Sequence, residues 1–182
     1  DAKIVHLIRD GRDTVNSLIK MPWRPEGLLN NSRFWKRYAQ LGIELKERYS
    51  QNTQNYYSLK YEDLLLNSEQ TIKSLCDFLE QDFEEAMLTM QTKDSSIFSS
   101  WESSWKHKAM EELDSTRVGA WQKELSEKDQ RLLSWHLRNE LRELGYSDKE
   151  PELKTEDRVH IVSEYGSLVA KRITRSVTDL IS

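Results

Sequence analysis

Two hydrophobic rhythms run along this chain, one of strands and one of helices. Ile4-Val5-His6-Leu7-Ile8 is a short, β-rich apolar run, the pattern of a strand buried on both faces. The polar stretch Arg9-Asp10-Gly11-Arg12-Asp13 predicts a turn, after which Asp13 or Thr14 caps a helix through Val15, Leu18 and Ile19. Strand, turn and helix in this order form a unit of α/β type. Pro22, Pro25 and Gly27 predict a loop. Phe34, Tyr38, Leu41, Leu45 and Tyr49 then recur at spacings of three and four, which predicts an amphipathic helix buried along that stripe.

Tyr56 to Tyr61 reads as a second strand, ended by Glu62-Asp63. Asn67 as N-cap with Gln70 three positions on predicts a helix with the stripe Ile72, Leu75, Cys76 and Leu79. Residues 91–116, rich in Ser, Lys and Glu around Trp101 and Trp105, read as a long, partly irregular segment. Ser126-Glu127-Lys128-Asp129 matches a helix start, Leu133, Leu137, Leu141 and Leu144 form the stripe that follows, and Gly145 is the expected stop. A polar linker with Pro151 leads to a last helix over about 156–181, with Val159, Val162, Val169, Ile173, Val177 and Leu180 on one side.

Composition narrows the function classes. A chain of 182 residues is long enough for one domain with a real core. It is polar, at 32% charged residues, but six Trp, seven Tyr and four Phe place it outside the disordered class. A net charge of −4 argues against a broad nucleic-acid surface while leaving room for a local basic pocket. The single Cys76 excludes an intramolecular disulfide and a cysteine-based zinc site, and fits a reducing compartment. His6, His107, His136 and His160 match no metal motif, and no segment approaches the ~18 apolar residues of a membrane span. The chain begins Asp1-Ala2-Lys3 without initiator Met or signal peptide, directly before an apolar strand, which reads as a start inside a larger domain.

Three places could carry chemistry. Arg9 lies at the carboxyl end of the first strand, where α/β sheets bind ligands. The next helix start offers N–H groups and a positive dipole end to an anion, with Ser17 one turn in. Arg9 could grip phosphate bidentately, each charge-assisted bond contributing roughly 1.5–3 kcal/mol. Read alone, the turn fits a surface Arg paired with Asp10 or Asp13 somewhat better. Arg117-Val118-Gly119-Ala120-Trp121 could form an anion-binding nest of backbone N–H groups, or simply a loop anchored by a buried Trp. Tyr61-Glu62-Asp63 could bring an aromatic ring to a base, or be a core-edge Tyr beside solvated acids.

The order of these motifs adds what none has alone. His6-Leu7-Ile8-Arg9-Asp10-Gly11-Arg12-Asp13-Thr14-Val15-Asn16-Ser17, with Ser eight positions after Arg (17 − 9 = 8), resembles the 3′-phosphate motif of sulfotransferases that use PAPS, 3′-phosphoadenosine 5′-phosphosulfate. Leu59-Lys60-Tyr61-Glu62-Asp63-Leu64 resembles the family's Tyr-Glu-Asp strand end, and Arg117-Val118-Gly119-Ala120-Trp121 its late Arg-x-Gly-x-Trp segment. The resemblance covers about residues 1–147. It implies a P-loop-like three-layer α/β fold, a parallel sheet flanked by helices, here incomplete at the N-terminus and helix-rich. Residues 1–148 would be the C-terminal portion of such a domain, and 149–182 a linker plus a C-terminal helical extension.

The resemblance further implies transfer of a sulfuryl group from PAPS to an acceptor hydroxyl or amine, with adenosine 3′,5′-bisphosphate as product and no metal. Arg9 and Ser17 would bind the 3′-phosphate, Tyr61 would contact adenine, and Arg117 with the Val118 and Gly119 backbone would close the pocket. Cytosolic members usually carry a basic residue where this chain has Val118, so that part of the clamp is either missing or supplied from elsewhere, with Lys123 as the candidate. The family's phosphosulfate loop and its catalytic base lie upstream of the Arg9 strand, so the catalytic residues are unknown and the chain alone is not expected to turn over. His6 reads as a packed core histidine, and His107 lies in a segment that can border the acceptor pocket. The acceptor, whether small molecule, carbohydrate or protein, is shaped by loops that include 21–32 and 91–116. The Arg9-Asp10-Gly11-Arg12 wording also resembles protein-tyrosine sulfotransferases.

Two other readings remain at this stage: a non-catalytic nucleotide-binding or interaction module of the same kind, and a helical interaction protein with a chance motif. The expected location is cytoplasmic and the expected partners exclude nucleic acid. Lys171, Arg172 and Arg175 in the last helix suggest a homodimer contact, intramolecular packing or an anionic membrane surface; the acids elsewhere on that helix favour the first two.

Overall fold

The computed structural model describes residues 2–24, 27–49, 54–89, 115–163 and 166. The first strand, β1, is Ile4–Ile8. Its parallel partner, β2, is Tyr56–Lys60, in a register that runs from Ile4 opposite Tyr56 to Ile8 opposite Lys60. Between them lie α1 (Gly11–Leu18) and α2 (Gly27–Tyr49). After β2 come α3 (Tyr61–Leu66) and α4 (Ser68–Leu79), then a 3-10 turn at Glu85–Leu88. A second 3-10 turn at Ser115–Arg117 precedes the short α5 (Trp121–Glu124) and the long α6 (Glu127–Glu143). Residues 155–163 are helical again. The chain is therefore α/β, helix-rich around a small parallel sheet.

The α6 helix follows its sequence signals closely. Ser126 caps it, its hydroxyl accepting the Asp129 N–H at 3.1 Å. Leu133, Leu137, Leu141 and Leu144 are all buried. Gly145, at φ +69°, ends the helix in a Schellman turn, the Tyr146 N–H reaching the Leu141 carbonyl at 2.7 Å and the Gly145 N–H that of Arg142 at 3.0 Å. This leucine stripe forms one core with Val15, Trp35, Ala39, Trp121 and Leu125.

The α2 stripe differs from expectation. Phe34, Tyr38 and Leu41 are exposed and Leu45 and Tyr49 half-buried, while Trp35, Ala39 and Gly42, one residue round the helix, face the protein. Small residues decide this. A Cβ on Gly42 would come within 2.1 Å of the His6 ring, so only glycine lets α2 lie against β1 there. Gly11 makes the same allowance in α1, since a Cβ would meet Leu137 and Trp35 at 2.8 Å. The wider apolar stripe was the louder periodic signal, but close packing selected the narrower one.

Other expectations shift as well. β1 is not buried on both faces: Val5 and Leu7 are 41% and 53% exposed. On that side α4 covers only β2, where Phe78 stacks on Tyr57 at 5.2 Å and Leu59 is buried. β2 ends at Lys60, so Tyr61 opens a helix instead of closing a strand. Asn67 caps α4 without a side-chain hydrogen bond, and Leu79 lies exposed beyond the buried Cys76. Residues 27–32, expected in a loop, are the first turns of α2.

Beyond α6, the buried Asp157 accepts both Arg131 Nε at 2.7 Å and the Lys154 N–H at 2.9 Å, tying the 155–163 helix to the main body. The remainder of the expected last helix, with Lys171, Arg172 and Arg175, lies outside the described residues, as does most of 91–116 with His107. No helix among the described residues is long and apolar enough to cross a membrane.

Candidate functional site

Arg9 follows β1 immediately, at the carboxyl end of a parallel strand. Because Ile8 pairs with Lys60, the next residue of each chain segment, Arg9 and Tyr61, emerges at the same sheet end. The Arg9 guanidinium stacks on the Tyr61 ring, 4.7 Å from its centroid. Arg9 Nη2 also donates to the Arg117 carbonyl at 3.2 Å. Three residues from three sequence motifs thus meet at one place, joined by direct contacts.

Arg9 Nε is buried with no hydrogen-bond partner, and among the described residues its guanidinium faces no carboxylate. A buried N–H without an acceptor is costly, and it leaves this half-buried guanidinium with an open donor. A cavity of about 220 Å³ borders Arg9 and Thr14, with His6, Trp35, Tyr38 and Leu144 among its walls.

The neighbouring acids are engaged elsewhere. Asp10 is the N-cap of α1 and accepts the Arg12 N–H at 2.8 Å. The Arg12 side chain closes back on the same carboxylate, Nη2 to Oδ2 at 2.7 Å, and stacks on Trp121 at 4.3 Å. The helix therefore starts two residues before the expected Asp13 cap, and its N-terminus already holds a carboxylate. An anion at this site would be met by Arg9 itself more than by the α1 dipole.

Asp13 has a different role from the expected cap. Its carboxylate is 2% exposed and accepts two backbone N–H groups across the site, from Gly119 at 2.8 Å and from Trp121 at 2.9 Å. Asn16 and Lys20, three and seven positions on, both bond Glu124, the lysine at 2.5 Å. Ser17 belongs to the second turn of α1, one turn after Asp13 on the same helix face, and is half-buried. Arg9, Tyr61 and Arg117 are brought into contact, while Ser17 sits farther along the helix.

The backbone of the late segment faces inward. The Val118 N–H donates to the Ser115 carbonyl at 3.1 Å and the Gly119 N–H to the Asp13 carboxylate, so both amides of the expected nest are engaged within the protein in this conformation. Gly119 has φ +73°, as a tight turn here requires.

Glu62 and Tyr146 complete the surroundings, and neither was singled out from the sequence. Glu62 accepts the Asp10 N–H and the Tyr146 hydroxyl, each at 2.9 Å. Lys60 lies over the Tyr146 ring at 4.5 Å and donates to the Gly145 carbonyl at 3.1 Å. Burial, and after it the Glu62 charge, pushes the Tyr146 hydroxyl pKa far up, so it stays a donor. His6 packs as expected, its Nδ1 2.7 Å from the Tyr56 hydroxyl, and burial lowers its pKa.

The sulfotransferase family model matches residues 1–85, which include Arg9, Ser17 and Tyr61. Two solved structures share the fold. The "Sulfotransferase Domain from the Curacin Biosynthetic Pathway" aligns with a TM-score of 0.64 at 18% identity, over 80% of this chain and 54% of that one. The "Sulfotransferase Domain from the Synechococcus PCC 7002 Olefin Synthase" aligns with a TM-score of 0.62 at 19% identity, over 82% and 51%. No curated protein matches the chain. The chain spans about half the length of those two solved structures. Residues 1–85 thus match the sulfotransferase family model, and the chain shares the fold of two sulfotransferase domains.

Proposed function

We propose that this chain supplies the 3′-phosphate and adenine grip of a sulfotransferase that uses PAPS as donor. The observation that carries the reading is the Arg9 guanidinium. It lies half-buried at the end of a parallel strand, holds a buried Nε without a hydrogen-bond partner, and stacks on Tyr61 beside Arg117. In this reading Arg9 and Arg117 bind the 3′-phosphate with Ser17, and Tyr61 presents its ring edge or hydroxyl to adenine. Val118 and Gly119 shape the segment that carries Arg117.

The reaction moves a sulfuryl group. A bond forms between the acceptor oxygen or nitrogen and sulfur, and the bond from sulfur to the 5′-phosphate oxygen breaks. The acceptor proton passes to a base, and adenosine 3′,5′-bisphosphate leaves. The chain's own contribution is to fix one end of the donor, so that binding energy remote from sulfur orients the reacting end. The acceptor is a hydroxyl-bearing or amine-bearing molecule. Sulfation is not expected from these 182 residues alone.

Titration of adenosine 3′,5′-bisphosphate into the chain tests this. Arg9→Ala should weaken binding by roughly 10- to 100-fold, the loss of one charge-assisted contact or two. Equal affinity in wild type and Arg9→Ala would remove the site.

A further inference from the structure

We infer that Asp13 is a positioning residue of this nucleotide site, acting through the late segment and not on the ligand. The inference rests on the nucleotide reading above and deepens it. Asp13 is almost fully buried, yet its two oxygens are taken by backbone N–H groups of a segment more than a hundred residues away, at Gly119 and Trp121. Trp121 opens α5, and its N-cap position, Ala120, has no side chain able to accept a helix N–H. Asp13 replaces that missing cap from another element.

The geometry makes Asp13 the opposite jaw to Arg9. They stand four positions apart across the start of α1. Arg9 holds the Arg117 carbonyl and Asp13 holds the Gly119 and Trp121 amides. The segment that presents the Arg117 side chain is therefore pinned at three backbone points, two of them by one carboxylate. The positive φ of Gly119 turns its N–H toward Asp13. Asparagine cannot replace this carboxylate: it has one acceptor oxygen, and its NH₂ would face the second N–H. The Arg117 side chain then has no fixed approach to the 3′-phosphate.

The test is a double-mutant cycle read by titration with adenosine 3′,5′-bisphosphate, alongside backbone hydrogen exchange. Asp13→Asn should lower affinity about 5- to 100-fold in the wild-type background and by less than about threefold in an Arg117→Ala background. Exchange should rise at 117–121 and stay unchanged at Leu133 and Leu137. A residue needed only for folding would lower affinity by the same factor in both backgrounds, and that result overturns the role. Unchanged affinity in Asp13→Asn, or unchanged exchange at 117–121, also overturns it while leaving the nucleotide site intact. Failure of the wild type to bind overturns the nucleotide reading and this role together. Should Asp13→Asn not fold, Gly119→Ala decides. Its Cβ meets nothing within 4 Å but strains the +73° backbone. It should reproduce the background-dependent loss, and full affinity in Gly119→Ala overturns the proposal.

Discussion

Tyr146 donates its hydroxyl to Glu62 at 2.9 Å, and the other oxygen of the same carboxylate accepts the Asp10 N–H. One acid from the Tyr-Glu-Asp stretch thereby joins Tyr146, just past the end of α6, to the N-cap of α1, the residue next to Arg9. Tyr146→Phe leaves one charged oxygen without its donor and should cost about 1–3 kcal/mol of stability, read by denaturant unfolding. The pH dependence has a definite sign. The folded hydroxyl pKa lies above its ordinary value of 10, so this contribution is fully present below pH 10 and is lost as pH rises beyond it. The wild type should lose more stability than Tyr146→Phe between pH 9 and 11, and parallel losses would remove the claim.

His136 sits buried in α6, and burial lowers its pKa to about 4, with Lys36, Arg33 and Arg138 adding charge repulsion. The folded pKa is below the unfolded value of 6.5, so the unfolded chain binds the proton more tightly. The contribution of His136 to stability is complete above about pH 6.5 and is lost as pH falls toward 4. Up to about 2–3 kcal/mol is involved, and the drop should shrink in His136→Gln. Unfolding free energies at pH 7 and pH 4.5 for both proteins measure it.

The two faces of α2 should answer mutation oppositely. Trp35→Ala removes a core ring packed on Gly11 and should cost about 3–5 kcal/mol, whereas Leu41→Ser on the exposed stripe should stay within about 0.5 kcal/mol. Gly42→Ala should cost about 1–3 kcal/mol because the His6 ring must move off Tyr56. Thermal unfolding of the three variants decides which stripe faces the core. A large loss from Leu41→Ser together with a small one from Trp35→Ala would reverse the assignment.

Local signals were legible where one neighbourhood settles the outcome. Ser126, the leucine stripe and Gly145 bound α6 because a cap, a 3.6-residue repeat and a left-handed stop act within a few residues. Arg9, Tyr61 and Arg117 could also be singled out, because each sits beside a strand end or glycine turn that the sequence itself displays. Long-range fit was not legible. The buried side of α2 depended on whether Gly42 or Leu41 could approach His6, and no periodicity records that distance. Asp13 looks in sequence like a helix cap and Glu62 like a solvated acid.

By itself, then, the sequence determined the order of elements and the charged residues that stand at their ends, since backbone preference and charge are properties of short stretches. Only the tertiary structure decided that Arg9 stacks on Tyr61 and reaches Arg117, and that Asp13 holds the segment just after Arg117, because hydrogen bonds between residues a hundred positions apart exist only once the chain has closed.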